Sequence, residues 1–285
     1  MRFPRHWAKG SAEATTAQGR VVSASCWRSS DLSADDAAAS ARDAARRMAR
    51  KLADGDMARL GRYAYGDQPL REEVLDTIGS ADRAVITRNA YGCRVLNAAR
   101  VLFVDVDFPE TRAGASFARG LRRLFGRNAG ADSPEPAALA RIEAWLASHP
   151  DWGMRVYRTR AGLRLAATHD VFDPTAPTTW ESMSALGCDP LYLRLCRAQK
   201  SFRARLTPKP WRCGARVPAV RFPFETLAEE RAFQAWRGDY DERQRPFATC
   251  ALLHTLGAKT RNGEADEILA VHDVETRASS GLPLA

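Results

Sequence analysis

The 285-residue chain predicts an α+β fold, with a mixed or antiparallel sheet as its core and helices around it. Three observations carry this. Stretches with helical spacing of apolar residues alternate with short runs rich in Val, Ile and Phe. Two alternating runs, Gly153–Thr159 and Leu163–Thr168, flank Arg160-Ala161-Gly162 and read as a hairpin, which requires antiparallel pairing. Apolar residues make up 45% of the chain, ample for a packed core at this length.

Each element has its own reason. Residues 1–30 show no clear period and read as irregular. Ser33 caps a helix with Asp36 three residues on, and Ala37, Ala41, Ala44, Ala45, Met48 and Leu52 form its stripe. Asp54-Gly55 ends it. Pro69 with the acids Glu72 and Glu73 predicts a second helix over Pro69–Ile78. Ala84–Thr87 and Val101–Val104 are β-rich. Ala115–Phe125 and Ala137–Ser148 read as helices around a loop at Gly130–Pro136. At Gly162 the hairpin calls for a turn glycine, one able to take positive φ. A helix is expected over Thr178–Leu186, a strand over Phe202–Leu206, and a helix over Glu225–Arg237. Thr249–Leu256 is an apolar segment, and Glu264–Arg277 is a final helix. The expected division is a helical N-terminal region (1–82), an α+β core (83–224) and a helical C-terminal extension packed on it (225–285). No internal repeat is visible.

Charge is distributed unevenly. The net charge is +9, and residues 155–221, with thirteen Lys and Arg against four Asp and Glu, carry all of it. A uniformly basic surface is thereby excluded and a local anion-facing segment is expected. The basic residues are 38 Arg and five Lys, a skew that goes with the abundance of Ala, so placement argues more than number. No stretch is long and apolar enough for a membrane span, and MRFPRHWAKGS lacks the apolar stretch of a secretory signal. The six cysteines form no CxxC pair and read as reduced thiols in a cytoplasmic protein without a membrane partner. A zinc set of Cys188, Cys196, Cys213 and His254 has irregular spacing and is disfavoured.

Three segments carry chemistry. Val101-Leu-Phe-Val-Asp105-Val-Asp107 runs from an apolar strand into two acids two residues apart, which share a face. Paired carboxylates repel unless a cation joins them, and hard divalent ions such as Mg²⁺ or Mn²⁺ suit them. In the hairpin, Arg164 alternates with Leu163 and Leu165, so it faces away from the leucines and is a candidate phosphate fork. His169 closes that strand and reads as a hydrogen-bonded structural histidine. In the basic run, Asp189 stands alone among Arg194, Arg197, Lys200, Arg203, Arg205, Lys209 and Arg212. Ser201, Arg203 and Arg205 share one strand face, giving a row of guanidinium groups for a polyphosphate or a nucleic-acid backbone. Trp211 reads as a buried tryptophan more readily than as a base-stacking one. The neighbours His272 and Asp273 are read as facing apart on their helix.

Taken in order, these segments resemble the archaeo-eukaryotic primase superfamily, which includes the primase-polymerases. Val104-Asp105-Val106-Asp107 is similar to its DxD strand. Thr159-Arg-Ala-Gly162-Leu-Arg164-Leu165 is similar to its small-x-x-Gly-x-His hairpin, with Arg164 where the family has histidine. Asp189, with Ser201-Phe-Arg203-Ala-Arg205-Leu-Thr-Pro-Lys209, is similar to its third acid, arginine strand and Pro-Lys turn. The resemblance covers about residues 95–215. It implies an RRM-like sheet and a nucleotidyltransferase acting with a nucleoside triphosphate on a single-stranded or template nucleic acid. It also implies two Mg²⁺ or Mn²⁺ ions held by Asp105, Asp107 and Asp189, with Asp170 or Asp173 as other possibilities for the third acid. Arg164, Arg203, Arg205 and Lys209 would bind the triphosphate, and Arg160, Arg194, Arg197, Lys200 and Arg212 the nucleic acid. Two other readings stand beside it. A nucleic-acid-binding accessory protein with a decayed site fits the change to Arg164. A haloacid-dehalogenase-like phosphatase would use Asp105 as nucleophile and Asp107 as acid/base, but Pro109 and the hundred preceding residues depart from that pattern.

Overall fold

The computed structural model describes residues 1, 3–4, 6–55, 70–79, 83–108 and 134–285. The chain opens with a long antiparallel hairpin of β1 (His6–Thr15) and β2 (Val21–Ser30). The expectation of irregular structure before residue 30 is corrected: Ala, Ser and Gly dominate these strands, and such small residues give little β signal. Their smallness has a use. Helix α1 (Ala34–Ala53) is capped by Ser33, whose side chain accepts from the Asp36 backbone N–H at 3.0 Å, and its buried face is all alanine. A Cβ on Gly10 would lie 2.2 Å from the Ala41 carbonyl carbon, so hairpin and helix approach at a distance that only glycine permits.

Residues Glu73–Ile78 form strand β3, where a helix was expected. The acids after Pro69 are a local helix signal, and antiparallel pairing with β4 (Ala84–Arg88) overrides it; Pro69 itself lies outside the described residues. With β5 (Arg94–Ala98) and β9 (Phe202–Arg205) these strands make a four-stranded sheet in the order β3-β4-β5-β9. A second four-stranded sheet runs β10-β7-β8-β6, from β6 (Phe103–Asp107), β7 (Gly153–Thr159), β8 (Gly162–Ala167) and β10 (Cys250–Gly257). The remaining helices are α2 (Pro134–Ala147), α3 (Pro177–Ala185), α4 (Pro190–Gln199), α5 (Leu227–Gln244) and α6 (Gly263–Thr276). Among the described residues there are thus six α-helices and three sheets, all antiparallel. The fold is α+β, on the antiparallel side of the expectation.

Two strands cross the expected divisions. β3 joins the first sheet from before residue 83, and β10, which covers most of the apolar segment Thr249–Leu256 in the expected C-terminal extension, forms an edge of the second sheet. One apolar core joins both sheets, with Ile86, Leu96 and Phe202 from the first and Val104, Val156 and Leu165 from the second. Helices contribute Ile142 from α2, Met183 from α3 and Ile268 and Leu269 from α6. The predicted helix at Ala115–Phe125 lies outside the described residues, as do residues 130–133 of the predicted loop. Gly162 is required for a different reason from the one expected. Its φ is not positive; instead a Cβ there would meet the Val106 carbonyl oxygen at 2.0 Å, blocking the pairing of β8 with β6. No described helix is long and apolar enough to cross a membrane.

Candidate functional site

Asp105 and Asp107 emerge from β6 on one face of the second sheet. The register sets Asp105 opposite Arg164 on β8, and Arg164 opposite Tyr157 on β7. The alternate residues Val104, Val106, Leu163, Leu165 and Val156 are buried on the other face, where Glu135 of α2 pairs with Arg158 at 2.8 Å. Strand alternation therefore puts the acids and Arg164 on one face and these aliphatic residues on the other, as the sequence pattern requires.

Asp189 arrives from a different element. It is the N-cap of α4, accepting from the Tyr192 backbone N–H at 2.8 Å, and its own backbone N–H donates to the Asp105 carbonyl at 2.8 Å. The third acid therefore sits beside β6. Although the side chain is exposed, partial desolvation, and then the charges of Asp105 and Asp189, push the Asp107 carboxyl above its usual range, while Lys209 and Arg205 pull it back. Lys209 lies below its usual value through burial and the neighbouring Arg205 and Arg212. Three acids and three cations thus share one local field. The Arg205 Nε is buried with no hydrogen-bond partner. Of the other candidates for third acid, Asp173 closes a turn through Thr175, and Asp170 accepts from the Val171 backbone N–H.

Two of the expected phosphate forks are occupied by protein. Arg164 is 1% exposed, its Nε donates to Asp105 Oδ1 at 2.9 Å and its Nη1 to the Arg205 carbonyl at 2.9 Å. Burial opposes its charge most strongly, but Asp105, with Cys250 and Tyr192, holds the guanidinium above its usual value. Arg203 is also buried. Its Nη2 lies 2.8 and 2.9 Å from the two Glu72 oxygens, and its Nη1 donates to Asn97 Oδ1 at 2.6 Å. The expectation that these two guanidinium groups stand open to a triphosphate is corrected. Glu72 precedes Arg203 by 131 residues, in a segment that reads as a helix, so the partner was invisible in the sequence. For the phosphatase reading, Asp105 would have to attack phosphate with one of its oxygens already held by Arg164.

Behind Arg164 lies a pair that sequence reasoning dismissed. His272 Nε2 is 3.4 Å from Arg164 Nη1, and His272 Nδ1 is 2.9 Å from Asp273 Oδ1. Neighbours on a helix do diverge, but the Asp273 carboxylate reaches back to the imidazole and also receives the Tyr157 hydroxyl at 2.7 Å and Arg155 Nη1 at 2.5 Å. Burial lowers His272 to about 4. The ring is therefore neutral at neutral pH, donating from Nδ1 and accepting from Arg164 at Nε2. A polar chain runs from Asp105 through Arg164 and His272 to Asp273. The hint in the sequence was a His-Asp pair following the apolar run Ile268–Val271 of that helix.

The remaining expected residues sit as follows. Arg160 is exposed at the β7–β8 turn, whose Ala161 carbonyl accepts from the Phe108 backbone N–H at 2.9 Å, next to Asp107. Arg194 and Arg197 are exposed on α4, with Arg197 stacked 3.6 Å over the Trp180 ring. Lys200 is exposed just past that helix, and Arg212 is half-buried beside Trp211. His169 Nδ1 lies 3.3 Å from the Gly153 carbonyl, and its ring packs against Trp152 and Phe172. Trp211, read as buried, is 51% exposed. Cys213 packs with Ala215 and Tyr240, and His254 is exposed on β10, so these two do not join Cys188 and Cys196. A cavity of about 560 Å³ lined by Arg100, Phe172, Asp173 and Lys200 lies toward the opposite end of β6 from Asp107.

The donor chemistry at Asp105 and Asp107 is that of a hard divalent cation. Among the described residues no three His, Cys, Asp or Glu side chains are already gathered as a ligand set. Asp105 gives one oxygen to Arg164 and Asp189 gives one to its helix cap. Asp105 and Asp107 are the residues that would hold such an ion, which would polarise a phosphate bound beside them. No family model matches the chain, and no curated protein or solved structure matches it either.

Proposed function

We propose that the protein is a metal-dependent nucleotidyltransferase of the primase-polymerase kind, joining a nucleoside triphosphate to a strand on a nucleic-acid template. The observation that carries the reading is the shared field of Asp105, Asp107 and Asp189 with Arg205 and Lys209. An Asp107 carboxyl raised by its acidic neighbours, with cations beside it that pull it back, suits a divalent ion and a polyphosphate arriving together. Asp105 and Asp107 would hold the ion, and Asp189, beside them, would supply a further oxygen for a second. Magnesium or manganese bound there would polarise the phosphoryl group and lower the pKa of the attacking hydroxyl. Arg205 and Lys209 would bind the triphosphate and offset charge as the leaving pyrophosphate departs. Arg164 takes a supporting role, fixing the Asp105 carboxylate from beneath. Arg160, Arg194, Arg197, Lys200 and Arg212 would track template phosphates. The RRM-like character of the sheet belongs to this same proposal.

A second reading has one observation of its own. Arg164 already supplies Asp105 with a cation, which is what a divalent ion would otherwise provide. A nucleic-acid-binding accessory protein with a decayed centre would keep such a pair. Nucleotide incorporation on a primed single-stranded template with Mn²⁺ or Mg²⁺ separates the two. The nucleotidyltransferase incorporates, and Asp105→Asn and Asp107→Asn each reduce the rate by about a thousandfold or more. Equal rates in wild type and these variants would sink the proposal, and strand binding without incorporation would leave the accessory reading.

A further inference from the structure

Beside the acidic centre stand two aromatic rings that the core leaves in water. Trp211 is 51% exposed and Tyr91 is 49% exposed, and their ring centroids are 5.3 Å apart at an interplanar angle of 86°. Each sits on a short, fixed loop. Tyr91 lies at the β4–β5 turn, where Asn89 Oδ1 accepts from the backbone N–H groups of Tyr91 and Cys93. Trp211 lies in the 3₁₀ turn Pro210–Arg212. The two loops are tied together, Cys93 Sγ donating to the Pro208 carbonyl at 3.3 Å and the Arg94 backbone N–H to Thr207 Oγ1 at 3.0 Å, and the Tyr240 hydroxyl of α5 anchors the second by donating to the Pro208 carbonyl at 2.6 Å. The rings are thus presented on a rigid base.

Their electrostatic setting is cationic. Lys209 Nζ lies 5.5 Å from the Trp211 centroid, and Arg205 and Arg212 both act on Lys209, depressing it, while Asp107 acts the other way. We propose that Trp211 and Tyr91, with Lys209 and Arg212, form a docking surface for single-stranded nucleic acid, whose bases stack on the rings while its phosphates meet the cations. Exposed aromatics interleaved with basic groups are the two components of sequence-tolerant strand binding. A mononucleotide would call for an enclosed pocket around most of its surface, whereas these rings stand on open surface. A duplex already uses its base faces in its own stack, so it offers the rings little. The inference deepens the proposed function, resting on it for what the strand is used for, and Lys209 places the rings beside Asp107.

Fluorescence anisotropy with a labelled oligothymidylate, a duplex of equal length and poly-glutamate tests it on the full chain. Wild type should bind the single strand in preference to the duplex and to poly-glutamate. Trp211→Ala and Tyr91→Ala should each weaken single-strand binding by about tenfold, with Trp211→Phe intermediate. The dependence on salt should persist in the ring variants and become shallower in Lys209→Ala. Because both rings are half-exposed, circular dichroism should show the variants folded. An unchanged affinity in Trp211→Ala, no oligonucleotide binding by wild type, or equal losses for poly-glutamate would overturn the proposal. The two readings fail separately. A wild-type chain that binds the strand but incorporates no nucleotide overturns the proposed function alone, and incorporation with an unchanged affinity in Trp211→Ala overturns this inference alone.

Discussion

Arg164 and Arg203 come from the same kind of sequence, an arginine alternating with apolar residues on a strand, and each ends in a carboxylate pair, yet the two pairs do different work. Arg203–Glu72 is closed. The side chains are 7% and 6% exposed, both Glu72 oxygens are taken by Arg203, and Thr87 and Asn97 complete the set. Arg164–Asp105 is closed on one side only: the guanidinium is 1% exposed and the carboxylate 28%. From Asp105 the network opens toward Asp107 and Asp189. A buried pair whose every group is satisfied holds sheets together. A pair with one carboxylate at the surface leaves charge available to something else. Exposure of the carboxylate, more than the arginine, separates structure from site.

The largest expected effect breaks the closed pair. Glu72→Ala strands the Arg203 guanidinium in the core and should cost about 3–5 kcal/mol in urea unfolding. A loss under about 1 kcal/mol would mean that Arg203 finds water or another anion. The next effect is acidification. His272 is neutral in the fold with a pKa of about 4, below its ordinary value near 6.5. The unfolded chain therefore takes up this proton first as pH falls. The stability it contributes is complete above about pH 6.5 and drains as pH drops toward 4, by roughly 3 kcal/mol. Asp273, held low by His272, Tyr157 and Arg155 against the opposing effect of burial, adds a loss at still lower pH. His272→Asn should flatten the thermal-melting curve between pH 6.5 and 4, whatever it does to its height; an unaltered slope would remove His272 from the network.

Opening the half-closed pair should cost less. Arg164→Met keeps most of the stem's packing and leaves Asp105 in contact with water, for a loss of about 2 kcal/mol. A loss as large as that for Glu72→Ala would erase the distinction drawn between the pairs. The smallest effect has the opposite sign. Asp107 is exposed and sits among like charges, so Asp107→Asn should stabilise the fold by a few tenths of a kcal/mol at neutral pH, the gain being limited by solvent screening. A stabilising change at the residue proposed for catalysis is what a functional acid cluster predicts; a destabilising one would make Asp107 a structural residue.

Several parts of this picture were legible in the chain. Asp105 and Asp107 on one strand face follow from a period of two, and the Ser33 cap, the stripe of α1 and the β7–β8 hairpin follow from local patterns that local geometry enforces. The first hairpin was not legible, because Ala, Ser and Gly give no periodic signal when their role is to let a helix approach closely. β3 was misread because Pro and two acids resemble a helix start, and only pairing with β4 decides otherwise. Asp189 was readable as a lone acid among cations, but its position beside Asp105 depends on the backbone bond between two elements more than eighty residues apart.

The sequence by itself determined which residues alternate, which acids travel together, and that all the net charge lies within residues 155–221. The tertiary structure decided which of those charges are spent within the protein. Burial raises the cost of an unpaired charge, so Arg203 and Arg164 took carboxylate partners far away in the sequence, and a neutral histidine was set behind one of them. What packing could not enclose, Asp107, Trp211 and Tyr91 among them, it left at the surface. Such long-range pairing depends on distances that no local spacing encodes, which is why the acids could be read from the chain and their neutralisation could not.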